Sequence, residues 1–441
     1  MAVFRYVDWQ WVPATGEVRL HYALDDAHTF TETVVLPVPA HPLSAERESA
    51  VRAAIRLLWL AAGISYYKAA APPVARIESG GLTNTERAFL TDYYLHGLGE
   101  FAVVNSLDLR GRPKWEAADS PTTPISGLRL ADRALVAVGG GKDSVVSVET
   151  LRRTGANPVQ FTVNRHPVTD AVMAVSGLST VHARRHLDPH LLELNDAGAL
   201  NGHIPVTAIN SLIAVTTALV LGIDTVVMSN ERSASEGNLT WHGNEINHQH
   251  SKSLSFERSL ATLIAASVSP DIQWFSLLRP LSELHITKLF ASLPDYHPVF
   301  TSCNKAFRLD PMKRTARWCG DCPKCRFVSL ALAPWLTRDE VTAIIRADLL
   351  DDVSQADGFR ALLGIEADKP FECVGEIAES RSALLLAASR PEWASAAVVE
   401  ILEPEVRTLG APDDEMVADL LTPSEDHLIP DGFPRPEKVL G

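Results

Sequence analysis

The sequence predicts an α/β protein centred on a parallel sheet, and three observations predict it. Short continuous apolar runs, Ala134–Val138, Pro158–Val163 and Asp224–Met228, alternate with helical segments, as strands covered on both faces do. A glycine turn follows the first run and opens straight into a helix. Ahead of these runs the grammar differs, with alternating strands and then helices. The 441 residues are long enough for two or three domains. They divide into an α+β domain over 1–125, a parallel-sheet domain over 126–335 and a helical region over 336–441.

Taken in order, Phe4 and Tyr6, then Val18, Leu20 and Tyr22, alternate around the turn Pro13-Ala14-Thr15-Gly16, and 29–38 reads as a further strand. Ser44 is an N-cap for a helix to Ala62, and Thr83-Asn84-Thr85-Glu86 is a capping box for a second helix to Leu98. Residues 111–127, with Gly111, Pro113, Pro121 and Pro124, read as a linker. A helix follows the glycines from about Ser144 to Thr154, and 206–221 is a buried helix. Thr337–Leu350 and Ser380–Ala388 are helical, and a polar, Pro-rich tail begins at Pro423.

Lys plus Arg total 40 against 54 Asp plus Glu, a net charge of −14. A nucleic acid or an anionic membrane surface would repel that balance, so neither is an expected partner. Met1–Val12 has no secretory leader pattern. The longest apolar run, 208–223, is broken by Asn210, Ser211, Thr216 and Thr217 and is shorter than a membrane span. The chain reads as cytoplasmic. Nothing in the sequence assigns an oligomeric state.

Gly139-Gly140-Gly141-Lys142-Asp143-Ser144 lies between a buried strand and a helix start. Glycines let the backbone turn its N–H groups inward as an anion nest, and the helix adds free amides and its positive dipole end. Lys142 supplies a charge and Ser144 a donor. Asp143 beside a phosphate calls for a bridging Mg²⁺. The spacing is neither a Walker loop nor a dinucleotide fingerprint. It resembles the Ser-Gly-Gly-x-Asp-Ser loop of the N-type ATP pyrophosphatases, with Gly139 in place of the first serine. That resemblance implies an adenine-nucleotide alpha-hydrolase-like core that binds ATP and cleaves it between the α and β phosphates. It also implies that Phe161, Thr162 and Val163, on the next strand, line the adenine.

Cys303, Cys319, Cys322 and Cys325 fall within 23 residues, which in a cytoplasmic chain points to metal or redox chemistry. Four thiolates close a structural Zn²⁺ site, and Gly320 and Pro323 suit the turns between ligands. An iron–sulfur cluster is the alternative for the same spacing, and Cys303 could instead be a free catalytic thiol. Cys373 reads as core. A polar stretch leaves the carboxyl end of the third run, where α/β proteins bind ligands. It offers Asn230, Glu231, Arg232, Ser235, Glu236, Asn238 and Asn247 as substrate contacts. His248, His250 and Lys252 are candidate bases.

Together these segments resemble one family, the UDP-N-acetyl-muramoyl-L-alanyl-L-glutamate epimerases, called MurL. Val138–Ser144, Glu231–Asn238, Asn247–Ser253, Cys303-Asn304, Trp318–Phe327 and Lys369–Val374 carry the resemblance, in collinear order. It implies that UDP-MurNAc-L-Ala-L-Glu is the small-molecule substrate and D-Glu the product configuration, with ATP and Mg²⁺ consumed or required and AMP and pyrophosphate released. One or two bases among His248, His250, Lys252 and Cys303 would then act on the α-carbon. Two alternatives use the same loop: a ligase or synthase activating another carboxylate, as the deazaguanine nitrile synthases do, and a non-catalytic adenine nucleotide sensor.

Overall fold

The computed structural model of the protein describes residues 2–308, 311–365, 372, 374–410, 412 and 414–441. Cys373 and Lys369–Phe371 lie outside the described residues.

Ten strands form one sheet: β1 (Val3–Val12), β2 (Glu17–Leu24), β3 (His28–Val35), β4 (Val74–Leu82), β5 (Lys114–Asp119), β6 (Ala131–Ala137), β7 (Val159–Val163), β8 (Thr180–His186), β9 (Ile223–Met228) and, after a small hairpin of β10 (Leu239–Trp241) with β11 (Asn244–Ile246), β12 (Gln273–Ser276). Their spatial order is β12-β9-β6-β7-β8-β3-β2-β1-β4-β5. The pairs from β12 to β8 are all parallel. β8–β3, β3–β2 and β2–β1 are antiparallel, and β1–β4 and β4–β5 are parallel again. The molecule is thus an α/β protein with a large, mostly parallel sheet. The stretch expected to be a linker contains β5: Trp115 and its neighbours pair with Ala75 and its neighbours. Its prolines and glycine bracket the strand rather than interrupt it, a pattern that local composition alone reads as loop.

Both faces of the sheet are covered, because successive side chains point to opposite sides. Leu135, Val226 and Trp274 join one core, together with the helices Ala45–Ala62 and Val206–Leu221. Val136, Val227 and Phe275 join the other, with the helices Lys142–Arg153, Glu283–Ala291, Pro323–Leu332 and Ile377–Ala388. The two capping devices expected from sequence are present. Ser44 accepts from Arg47 N, and Thr83 and Glu86 form a reciprocal box. The C-terminal helices are tied to the loop after β9 and to the helix Glu283–Ala291 by Glu379, fully buried, which accepts from Ser233 Oγ at 2.8 Å and from the N–H of Leu284 at 3.4 Å.

The amino-terminal strands and the parallel strands meet at β3–β8, through Thr33↔His186, Val34↔Arg185 and Val35↔Arg184. A buried ion pair sits on that seam. Arg185 Nε and Nη2 donate to the two oxygens of Glu32 at 2.7 and 3.0 Å, and Nη2 also donates to Ser65 Oγ at 2.9 Å. Burial works against the Arg185 charge, but Glu32 overrides it and holds the guanidinium pKa above its usual value. Removing one partner would leave the other charge buried alone. Glu32→Ala is therefore expected to destabilise the protein by about 3–5 kcal/mol, as read from the midpoint of chemical denaturation.

Candidate active site

In the parallel half, β7 lies on one side of β6 and β9 on the other. The chain therefore reverses its direction of travel across the sheet between β6 and β9. A crevice opens at such a switch point, beyond the carboxyl ends of the strands, and is the place where sheets of this kind bind ligands. A cavity of about 400 Å³ occupies it here. Its walls come from the end of β6 and the glycine turn (Val138, Gly139, Gly141, Asp143, Ser144), from β7 (Phe161, Thr162, Val163) and from the end of β9 (Met228, Ser229, Asn230).

The turn is built as an anion cradle. The helix Lys142–Arg153 starts at Gly141 with no side chain capping its first amides, so they are free to meet a ligand. Gly140 has φ +90°, and a Cβ there would lie 3.3 Å from both Thr169 and Val168. Only glycine takes that backbone conformation at little cost. Thr301 donates its backbone N–H to Gly140 O at 3.1 Å, and Ser302 lines the cavity beside it. The loop is thus held from outside its own strand and helix, by the residues just before Cys303.

Lys142 does not line the cavity. Its ammonium is buried and pairs with Asp143 and Glu283. Burial opposes the charge, yet the two carboxylates hold the lysine above its usual pKa. Burial raises the Glu283 carboxyl, and Lys142 pulls it back down. Carboxylate oxygens of Asp143, Glu231 and Glu283 all lie within 4.8 Å of one another, a set of hard oxygen donors of the kind Mg²⁺ takes. Asp143 faces the cavity from this group, while Glu231 and Glu283 are buried.

Of the polar residues read as substrate contacts, Asn230 lines the cavity, with its amide donating to Ser276 Oγ at 2.9 Å. Others build the loop itself. Arg232 donates to Thr422 O at 3.3 Å, Ser235 Oγ accepts from Leu254 N at 3.2 Å, Asn238 Oδ1 accepts from His248 N at 2.9 Å, and Asn247 Nδ2 donates to Ala234 O at 2.9 Å. Glu236 ends the 3-10 turn Arg232–Ser235. Arg279, fully buried, ties this loop to the next: it pairs with Glu257 at 2.8 Å and donates to the carbonyls of Glu231 and Lys252.

The expected bases stand beyond the cavity walls. His248 Nδ1 pairs with Glu100, His250 Nε2 is 3.2 Å from Asp92 Oδ2, and Lys252 Nζ donates to Gln249 Oε1 at 3.1 Å. Asp92 stays below the usual carboxyl range: its burial acts the other way, but hydrogen bonds from His250 and His96 prevail. Cavity residues that the sequence reading missed include Thr207 and Asn210 on the helix Val206–Leu221, and Thr301 and Ser302. A polar residue at 207 and another at 210, three apart in an apolar helix, carried the signal for the first pair.

The four expected thiols converge. Sγ–Sγ separations are 3.8 Å for Cys303–Cys322, 3.7 Å for Cys319–Cys325 and 3.5 Å for Cys322–Cys325. A regular tetrahedron with Zn–S bonds of about 2.3 Å puts sulfurs about 3.8 Å apart. An iron–sulfur cluster would interpose its own atoms and spread the thiolates further. Gly320 sits at φ +70° in the knuckle, and Asp321 N donates to Cys319 Sγ at 3.4 Å. Cys303 is fully buried and its sulfur faces this cluster, not the cavity.

Fold and cavity define an α/β protein whose strand–glycine turn–helix unit faces a cavity at the sheet's switch point. Comparison with known proteins narrows this. Residues 1–277 match the model for the MurL N-terminal domain and residues 299–417 that for the MurL C-terminal domain. A protein of Micromonospora sp. named UDP-N-acetyl-alpha-D-muramoyl-L-alanyl-L-glutamate epimerase is 47% identical over 439 residues, which is 98% of this chain and 96% of its own length. A Salinispora tropica protein of the same name is 47% identical over 407 residues (91% and 88%), and one from Xanthomonas oryzae pv. oryzae is 42% identical over 430 residues (98% and 95%). The chain belongs to the MurL family.

Proposed function

We propose that the protein inverts the terminal L-Glu of UDP-MurNAc-L-Ala-L-Glu to D-Glu, after activating its carboxylate with ATP in the manner of the N-type ATP pyrophosphatases. The cavity at the switch point carries this reading: uncapped amides of the helix Lys142–Arg153 face it on one side, and Asp143 joins it to the carboxylate trio on the other. The relatives' name supplies the substrate. Phe161, Thr162 and Val163 take the adenine, the glycine turn and Ser144 take the phosphates, and Asn230 faces the reacting end.

The α-proton beside a free carboxylate is weakly acidic, because its removal makes a dianion. In the first step a carboxylate oxygen of the substrate attacks the α-phosphorus, the bond to the bridging oxygen breaks, and pyrophosphate leaves with the electron pair. The resulting acyl adenylate acidifies the α-carbon. A general base then takes the proton, and return of a proton to the opposite face inverts the centre. Water cleaves the anhydride to AMP and the D-Glu carboxylate. A Mg²⁺ held by Asp143, Glu231 and Glu283 would neutralise phosphate charge.

The test incubates the protein with ATP, Mg²⁺ and the L,L-precursor in deuterated water. AMP, pyrophosphate and α-deuterated D-Glu product are expected. Nucleotide binding without pyrophosphate release would leave only a sensor, and undeuterated product would refute exchange at the α-carbon. Gly139 has open space where a side chain would project. Gly139→Ser, restoring the usual hydroxyl, is expected to fold normally and to lower the KM for ATP about fivefold, the value of one hydrogen bond of about 1 kcal/mol. Steady-state kinetics would check it.

We further infer that Cys303, Cys319, Cys322 and Cys325 hold a structural Zn²⁺. The sulfur separations and the knuckle turn support that reading.

A further inference from the structure

Three segments far apart in sequence bring imidazoles and a carboxylate together outside the phosphate cavity. Glu100 comes from the helix Gly99–Val104, His203 from the approach to the helix Val206–Leu221, and His248 from the segment after the β10–β11 hairpin. Their ligand-capable atoms all lie within 4.8 Å of one another. His248 Nδ1 pairs with Glu100 Oε2, and His203 Nδ1 is 3.9 Å from the same oxygen. The two imidazole rings are 4.3 Å apart, centre to centre. All three residues are half-buried.

We propose that Glu100, His203 and His248 form a binding site for a divalent transition-metal ion. Two imidazole nitrogens and one carboxylate oxygen are a donor set that suits such ions. Three protein ligands leave a position for an oxygen of a bound molecule. The backbone that carries the His248 donor is held by side chains of the same loop. Asn238 Oδ1 holds His248 N at 2.9 Å, and Asn247 Oδ1 holds Gln249 N at 2.6 Å. Glu100 serves two imidazoles through one oxygen, an arrangement that a shared cation completes and a single hydrogen bond does not.

A neighbouring trio shows the contrast. Asp92 uses one oxygen for His96, at 2.9 Å, and the other for His250, at 3.2 Å. Each of those imidazoles already has its own acceptor, so that group is complete as hydrogen bonds. His203 is four residues ahead of Thr207, which lines the cavity. At most about 14 Å of extended chain separates them. The ion would stand beside the nucleotide site and apart from the cysteines, and His248 would be its ligand instead of a free base.

The full-length protein, with its cysteines already loaded with zinc, would be titrated with Co²⁺. One further equivalent is expected, giving ligand-field bands without thiolate-to-cobalt charge transfer. Loss of a mere supporting residue weakens metal binding about 10–100-fold, so His203→Ala and His248→Ala should each weaken it by at least about tenfold. Glu100→Gln, which keeps the shape, should do the same, and His250→Ala should not. No further equivalent in the unaltered protein, or equal binding in the His203 and His248 variants, would overturn the site. The readout needs no turnover, so it stands or falls separately from the reading of the reaction.

Discussion

Asp143→Asn is expected to slow pyrophosphate release about a hundred- to a thousandfold, the scale set by removing one preorganised electrostatic contact to a developing charge. The replacement is nearly isosteric. It removes the one carboxylate that both lines the cavity and belongs to the trio with Glu231 and Glu283. It also takes one of two counter-charges from buried Lys142, whose other partner, Glu283, remains. The fold should therefore survive, and circular dichroism with a thermal melt would establish that. A variant that folds and keeps activity within about threefold would end the assignment of Asp143 to the metal-bridged phosphates. Lys142→Ala is a poorer probe. It strands the Glu283 carboxylate in the interior, and breaking a buried pair costs about 3–5 kcal/mol, so activity and folding would fall together.

Loss of the thiol-bound ion is expected to have the second large effect. Cys322→Ser should destabilise the protein by more than about 4 kcal/mol, since loss of a metal is among the few single changes that reach that size. It should weaken nucleotide binding too. The chain runs from the thiol cluster at Cys303 through Ser302 and Thr301 into the contact with Gly140 O. Loosening the cluster frees one wall of the phosphate turn. Metal analysis, thermal melting and equilibrium binding of ATP would read all three consequences. A zinc-free preparation with native melting behaviour, or a Cys322→Ser variant that melts like the parent, would remove the structural role.

Strands β1–β3, β6, β7 and β9, the glycine turn and the thiols were legible in the sequence because each depends on near neighbours. Ala134–Val138 is a continuous apolar run, Thr83–Glu86 is a local cap, and Cys319, Cys322 and Cys325 are two spacings of three. β5 was not legible, because what makes Lys114–Asp119 a strand is its pairing with β4, about forty residues earlier. Glu283 was hidden for the same reason. Its partner Lys142 is 141 positions away, and an acidic residue at a helix start reads as an ordinary first-turn charge. The histidines could be marked as polar and titratable, but Asp92 and Glu100, which receive them, come from helices that carried no functional signal.

The seam between β3 and β8 has a consequence for how the chain can be shortened. A fragment beginning near residue 126 would keep the glycine turn, the thiols and the five strands of the parallel run from β12 to β8. It would also expose the length of β8 that His186, Arg185 and Arg184 now share with β3, and it would leave Arg185 without Glu32 and Ser65. Open sheet edges recruit other chains. Such a fragment should self-associate through β8, and cutting the protein down to its parallel half would yield aggregates in place of a smaller folded protein.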